Sequence, residues 1–132
     1  MPFEKVIQLM REAVPELLAV YRFGSQAQGA ARSESDVDLA FLALRAVSPK
    51  AGLALREELS LLLSRDVDLI DLRVASTVLR MQVISTGQCL FSADDRKREQ
   101  FETMVYSSYA RLNEERREIL NDIRARGRVY AG

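Results

Sequence analysis

The chain has 132 residues, of which 48% are hydrophobic and 29% charged, the makeup of one ordinary globular domain rather than of a disordered, collagenous or low-complexity segment. Nineteen Lys and Arg balance nineteen Asp and Glu for a formal charge of +0, which disfavours a generic nucleic-acid coat or a polybasic membrane binder. With His 0 and Cys 1, zinc fingers, Ser-His-Asp triads, Cys-His nucleophiles and an internal disulfide are excluded, and catalysis falls to carboxylates, hydroxyls, Arg or Lys, or a carboxylate-bound metal.

Phe3, Val6, Ile7, Met10 and Val14 share one helical face, and Pro2 suits the first turn. Leu17 to Phe23 reads as a buried strand, and Gly24 to Ser35, small and polar, as a loop. Asp36 to Leu42 is a second strand in which Val37, Leu39 and Phe41 alternate with Asp36 and Asp38. Ser48-Pro49 is an N-cap followed by Pro at the first helical position, and that helix runs to about Leu63. Val67 to Leu72 is a third strand. Ser76 caps a helix through Val78, Leu79, Val83 and Ile84 that stops near Gly87, and Gln88 to Phe91 is a short last strand.

Asp94 to about Arg126 is a long amphipathic helix with Phe101, Met104, Val105, Tyr109, Leu112, Ile119 and Ile123 along its stripe. Tyr106 and Tyr109 read as packing or interface residues, and Cys89, next to apolar Leu90 and Phe91, as a small core residue. The connection between the first two strands is too short for a crossover helix. The expected fold is therefore α+β, a small mixed sheet flanked by helices. No apolar run reaches the ~18 residues of a membrane span, and Met1 to Met10 lacks a signal-peptide core. These features, with the single cysteine, predict a cytoplasmic location.

The chemistry concentrates in Phe23-Gly24-Ser25-Gln26-Ala27-Gln28-Gly29 and Ser35-Asp36-Val37-Asp38-Leu39. Asp36 and Asp38 are two apart in a strand and so share a face. Like charges that close raise each other's pKa unless a cation lies between them, and an all-oxygen set suits Mg²⁺. Alone, Asp-x-Asp reads as a solvated strand end, and Gly-Ser after a strand as a plain turn. Together they bring phosphate donors and metal ligands to one cleft, because Gly24 permits close backbone approach and Ser25 adds a donor. A third carboxylate is expected on a neighbouring strand. Asp66, Asp68 and Asp71 are the candidates; Asp68 points away from the core-facing Val67 and Leu69, whereas Asp66 and Asp71 read as turn or strand-end polarity.

Gly24-Ser25, ten residues, then Asp36-Val37-Asp38 resembles the signature of the DNA polymerase β-like nucleotidyltransferases. The stretch from Leu17 to Phe91 resembles the minimal nucleotidyltransferase (MNT) family, specifically the antitoxin partners of HEPN toxins, with further similarity at Val67-Asp68-Leu69-Ile70-Asp71-Leu72, Ala75-Ser76, Val78-Leu79, Gly87 and Leu90-Phe91. The resemblance implies a single nucleotidyltransferase domain over 1–132, with a core at about 17–91 and a C-terminal helix at about 94–126. It implies that Gly24 and Ser25 hold nucleotide phosphates and that Asp36, Asp38 and Asp68 bind two Mg²⁺ ions and catalyse transfer. It further implies ATP as substrate and a tyrosine of a HEPN ribonuclease toxin as the AMP acceptor. The sequence departs from the family pattern at Gln26 and Gln28, where many relatives carry Arg. Arg32 and Arg22 are the candidates to replace that positive charge beside the phosphates.

A transferase binds two substrates, and only one helix follows the carboxylate core, so the acceptor site is expected on another polypeptide. The exposed part of the long helix together with the first helix is the expected docking surface. Two other readings stay open: an antitoxin that masks its toxin by binding alone, and a nucleotidyltransferase for a small molecule or nucleic acid. Intact Asp36, Asp38 and Asp68 favour catalysis, Gln26 and Gln28 favour the mask, and neutral net charge disfavours nucleic acid.

Overall fold

The computed structural model describes residues 2–24 and 36–131. Eight elements follow one another: α1 (Phe3–Ala13), β1 (Leu17–Phe23), β2 (Val37–Ala43), α2 (Pro49–Leu63), β3 (Val67–Asp71), α3 (Thr77–Thr86), β4 (Gln88–Ser92) and α4 (Asp95–Ala131). They coincide with the sequence-predicted elements to within a residue or two, except that α4 runs five residues beyond Arg126.

The strands form one mixed sheet in the order β3-β2-β1-β4. β1 pairs antiparallel with β2 and β4, and β2 pairs parallel with β3. The parallel pair is possible because α2 makes the crossover that parallel neighbours require. Its start is fixed as the sequence predicts: the Ser48 hydroxyl accepts a hydrogen bond from Ala51 N, with Pro49 at the first helical position. Ser76 caps α3 in the same way through Leu79 N.

Both faces of the sheet are covered. Val6 and Met10 of α1 and Leu55 and Leu59 of α2 pack on Val37, Leu39, Phe41 and Val67. Val83 of α3 and Phe101 and Val105 of α4 pack on Tyr21, Phe23, Ala40, Leu42 and Leu72. This explains why β1 reads as a continuous apolar run rather than an alternating one. Each large side chain buried here contributes about 1.5–3 kcal/mol.

Only the first turns of α4 belong to this core. The Tyr21 hydroxyl donates to Glu102 Oε2 at 2.7 Å, and Arg98 Nη1 donates to Glu102 Oε1 at 2.9 Å. Burial, reinforced by the Glu102 hydrogen bond, pushes the Tyr21 hydroxyl pKa far up, so it stays a donor. From Glu114 to Arg126 every residue is exposed, Ile119, Leu120 and Ile123 among them. Cys89 departs from its expected place: it lies on the edge strand β4 and is exposed. Among the described residues, no helix is long and apolar enough to cross a membrane.

Candidate active site

β1 ends at Phe23 and its antiparallel neighbour β2 begins at Val37, so both termini lie at one end of the sheet. At that end Phe23 is opposite Asp38, and Asp38 is opposite Asp68. Alternation puts Asp38 and Asp68 on the face that further along carries Ala40, Leu42 and Leu72. Neighbouring strands lie about 4.8 Å apart, so the two carboxylates are side by side. They are within hydrogen-bonding reach of each other, and Asp36, immediately before β2, adds its charge to the pair.

Burial holds the Asp38 carboxyl above its ordinary pKa, and the charges of Asp68 and Asp36 and the hydrogen bond with Asp68 push it the same way. Two carboxylates this close either share a proton or share a cation. The donor set therefore fits a hard divalent ion such as Mg²⁺. Among the described residues, no three His, Cys, Asp or Glu side chains are grouped so as to hold a metal ion by themselves; Asp38 and Asp68 form the pair, and Asp36 acts on it through its charge.

Gly24 is fitted against this pair. Its φ is +82°, and a Cβ there would collide with Asp38 Oδ2 and sit 3.0 Å from Asp38 Cγ. Only glycine lets the chain turn away from β1 while Asp38 keeps its place. Gly87, expected as a helix stop, also brings α3 onto the end of β1: a Cβ would lie 3.0 Å from the Arg22 carbonyl oxygen and 3.3 Å from Phe23 Cβ.

The structure separates the three candidates on β3. Asp68 joins the site. Asp71 is at the far end of the strand, where Oδ2 accepts from Val47 N at 2.8 Å and Oδ1 from Arg73 N at 2.9 Å; its work is to shape two turns. Asp66 accepts from Val37 N through its backbone oxygen at 3.0 Å. Ser25, Gln26, Gln28 and Arg32 lie outside the described residues. Arg22, a candidate phosphate partner, has its guanidinium over the Phe3 ring of α1, 5.2 Å from the centroid. Strand alternation puts that side chain on the face opposite Asp38.

One feature beside the site left no mark in the sequence. A cleft of about 830 Å³ runs from Asp36 and Asp66 along the C-terminal half of α2, lined also by Arg56, Ser60, Leu61 and Arg65. In the sequence these residues are ordinary helix surface.

A strand, a glycine turn and a same-face carboxylate tier completed from the parallel neighbour define a nucleotidyltransferase. Residues 4–96 match the family described as polymerase beta, nucleotidyltransferase. The chain belongs to this family, in its MntA-like minimal branch. It is 40% identical over 121 residues to the protein adenylyltransferase MntA of Shewanella oneidensis, covering 92% of this chain and 86% of that protein. It also superposes on a chain of a toxin–antitoxin complex crystallised with AMP-PNP, with TM-score 0.85, 38% identity, and 93% and 98% of the two chains covered. A complex of a tri-AMPylated Shewanella oneidensis HEPN toxin with its MNT antitoxin matches with TM-score 0.77 at 37% identity, over 91% of this chain and 93% of the other.

Proposed function

We propose that this chain is a protein adenylyltransferase antitoxin: it moves AMP from ATP to a tyrosine of a cognate HEPN toxin, as a single nucleotidyltransferase domain. The observation that carries the reading is the register of Asp38 with Asp68 beside Gly24, in a chain that aligns over nearly its whole length with a named protein adenylyltransferase.

Asp36, Asp38 and Asp68 would hold Mg²⁺. When bound, the ion offsets charge developing on the attacking and leaving oxygens. The chain's own residues do the rest. The backbone at Gly24, with Ser25 and Arg32 in the following loop, holds the triphosphate. Asp68, exposed on β3, takes the proton of the acceptor hydroxyl. The acceptor oxygen bonds to the α-phosphorus, the bond to the β-phosphate oxygen breaks, and pyrophosphate leaves. The proton passes from Asp68 to water.

Co-expression with the cognate toxin tests this reading. Wild type should rescue growth, and toxin recovered from those cells should be heavier by one or more AMP units on tyrosine. A folded Asp36→Ala, Asp38→Ala variant should do neither. Equal protection by that variant with unmodified toxin would establish a mask that acts by binding alone.

A further inference from the structure

The sheet order fixes the side from which an acceptor reaches the site. Across the catalytic end the sequence of parts is Asp68 on β3, Asp38 on β2, then Gly24 after β1. In-line displacement puts attacking and leaving oxygens on opposite sides of the phosphorus. With the pyrophosphate held at Gly24, the acceptor hydroxyl must arrive from the β3 side. This step rests on the proposed transferase reading.

β3 is an edge strand, and the surface beside it is prepared for contact. The cleft of about 830 Å³ that opens at Asp36 is continued by a second groove of about 800 Å³, lined by Phe41, Val47, Leu53, Leu69 and Val74. Arg56 lines both and joins them. Leu61, Val74 and Leu53 are 81%, 71% and 53% exposed along this belt. Among the described residues Arg56 takes part in no ion pair. Exposed aliphatics interleaved with the arginines Arg56 and Arg65, with Glu57 beside them, have the anatomy of a protein contact rather than of an enclosed nucleotide pocket.

We propose that the belt formed by α2 and the β3 edge is the docking surface for the acceptor protein. Its occupant is a segment of the toxin that seats apolar side chains at Leu53 and Val74, sets a carboxylate on Arg56, and delivers its acceptor hydroxyl past Leu61 and around the β3 edge to Asp68, whose side chain lies on the sheet face opposite α2. This contact is separate from the exposed stripe of α4, which lies beyond the opposite face of the sheet.

Titration calorimetry with the cognate toxin tests the surface through affinity, without requiring turnover. A Leu53→Asp, Val74→Asp variant and, separately, Arg56→Glu should each weaken toxin binding at least tenfold. ATP affinity in Mg²⁺ should stay within twofold of wild type, which also reports that each variant folds. An Ile119→Asp, Ile123→Asp variant of α4 is the comparison. Wild-type toxin affinity in both belt variants, with or without an effect at α4, overturns the proposal. Wild-type protein that binds toxin but transfers no AMP would sink the transferase reading instead, and the affinities would still decide the docking surface.

Discussion

Replacing Gly24 by Ala separates the geometry of the site from the stability of the fold. At φ +82° an L-residue costs roughly 1–2 kcal/mol. The new methyl also collides with the Asp38 carboxylate, whose Cγ lies 3.0 Å from the ideal Cβ position. Asp38 can yield only by swinging away, because the backbone of β2 is fixed by pairing on both sides. In a chain of 132 residues the backbone cost lowers the melting temperature by about 3–10 °C. Displacing a ligand-bearing carboxylate by about 1 Å costs roughly 100-fold in rate. Scanning calorimetry and a single-turnover assay of AMP transfer, both at a temperature where the variant is fully folded, read the two effects independently. A Gly24→Ala protein that transfers AMP at the wild-type rate would refute the assignment of this turn to the site.

Asp68→Asn should abolish transfer while keeping ATP binding, whereas Asp71→Asn should keep transfer per folded molecule and lose about 1–3 kcal/mol of stability, because Val47 N or Arg73 N is left unpaired; transfer kinetics and urea unfolding of the two proteins distinguish them. Asp38 has a raised pKa in the folded state, so the fold binds its proton more tightly than the unfolded chain does, and stability is lost as pH rises from near 4 through the raised value. Asp38→Asn should therefore be more stable than wild type at neutral pH in chelator, and Mg²⁺ should raise the melting temperature of wild type but not of the variant. Gly52→Ala, in the interior of α2 with nothing within 4 Å of the new methyl, should stabilise the fold by about 0.5–1 kcal/mol, measured by urea denaturation.

The elements were legible because their signals are local. Ser48-Pro49 and Ser76 mark helix starts, and the alternation in Asp36 to Leu42 marks a strand facing two environments. The same two-residue period distinguished Asp68 from Asp71, which differ in face and not in chemistry. Long-range facts were not legible. Nothing local says that β2 and β3 pair in the register that sets Asp38 opposite Asp68, or that α3 and α4 cover the second face. Cys89 is followed by apolar Leu90 and Phe91 in sequence, but edge position, a property of the whole sheet, exposes it. Arg22 is close to Gly24 along the chain and yet faces α1. The cleft beside Asp36 arises from the packing of α2 against β3, and no motif encodes it.

The anchoring of α4 has a mechanical consequence. The helix is gripped over its first turns by Phe101, Val105 and the Tyr21–Glu102–Arg98 bonds, and is exposed at every residue from Glu114 to Arg126. From Val105 to Ala131 it extends about 39 Å at 1.5 Å per residue. Such a rod turns about its clamp more readily than it bends. A load on its outer end is therefore delivered, with leverage, to Tyr21, three residues before Gly24 on the strand that ends at the carboxylate tier. Any partner that holds the far end of α4 holds a handle on β1.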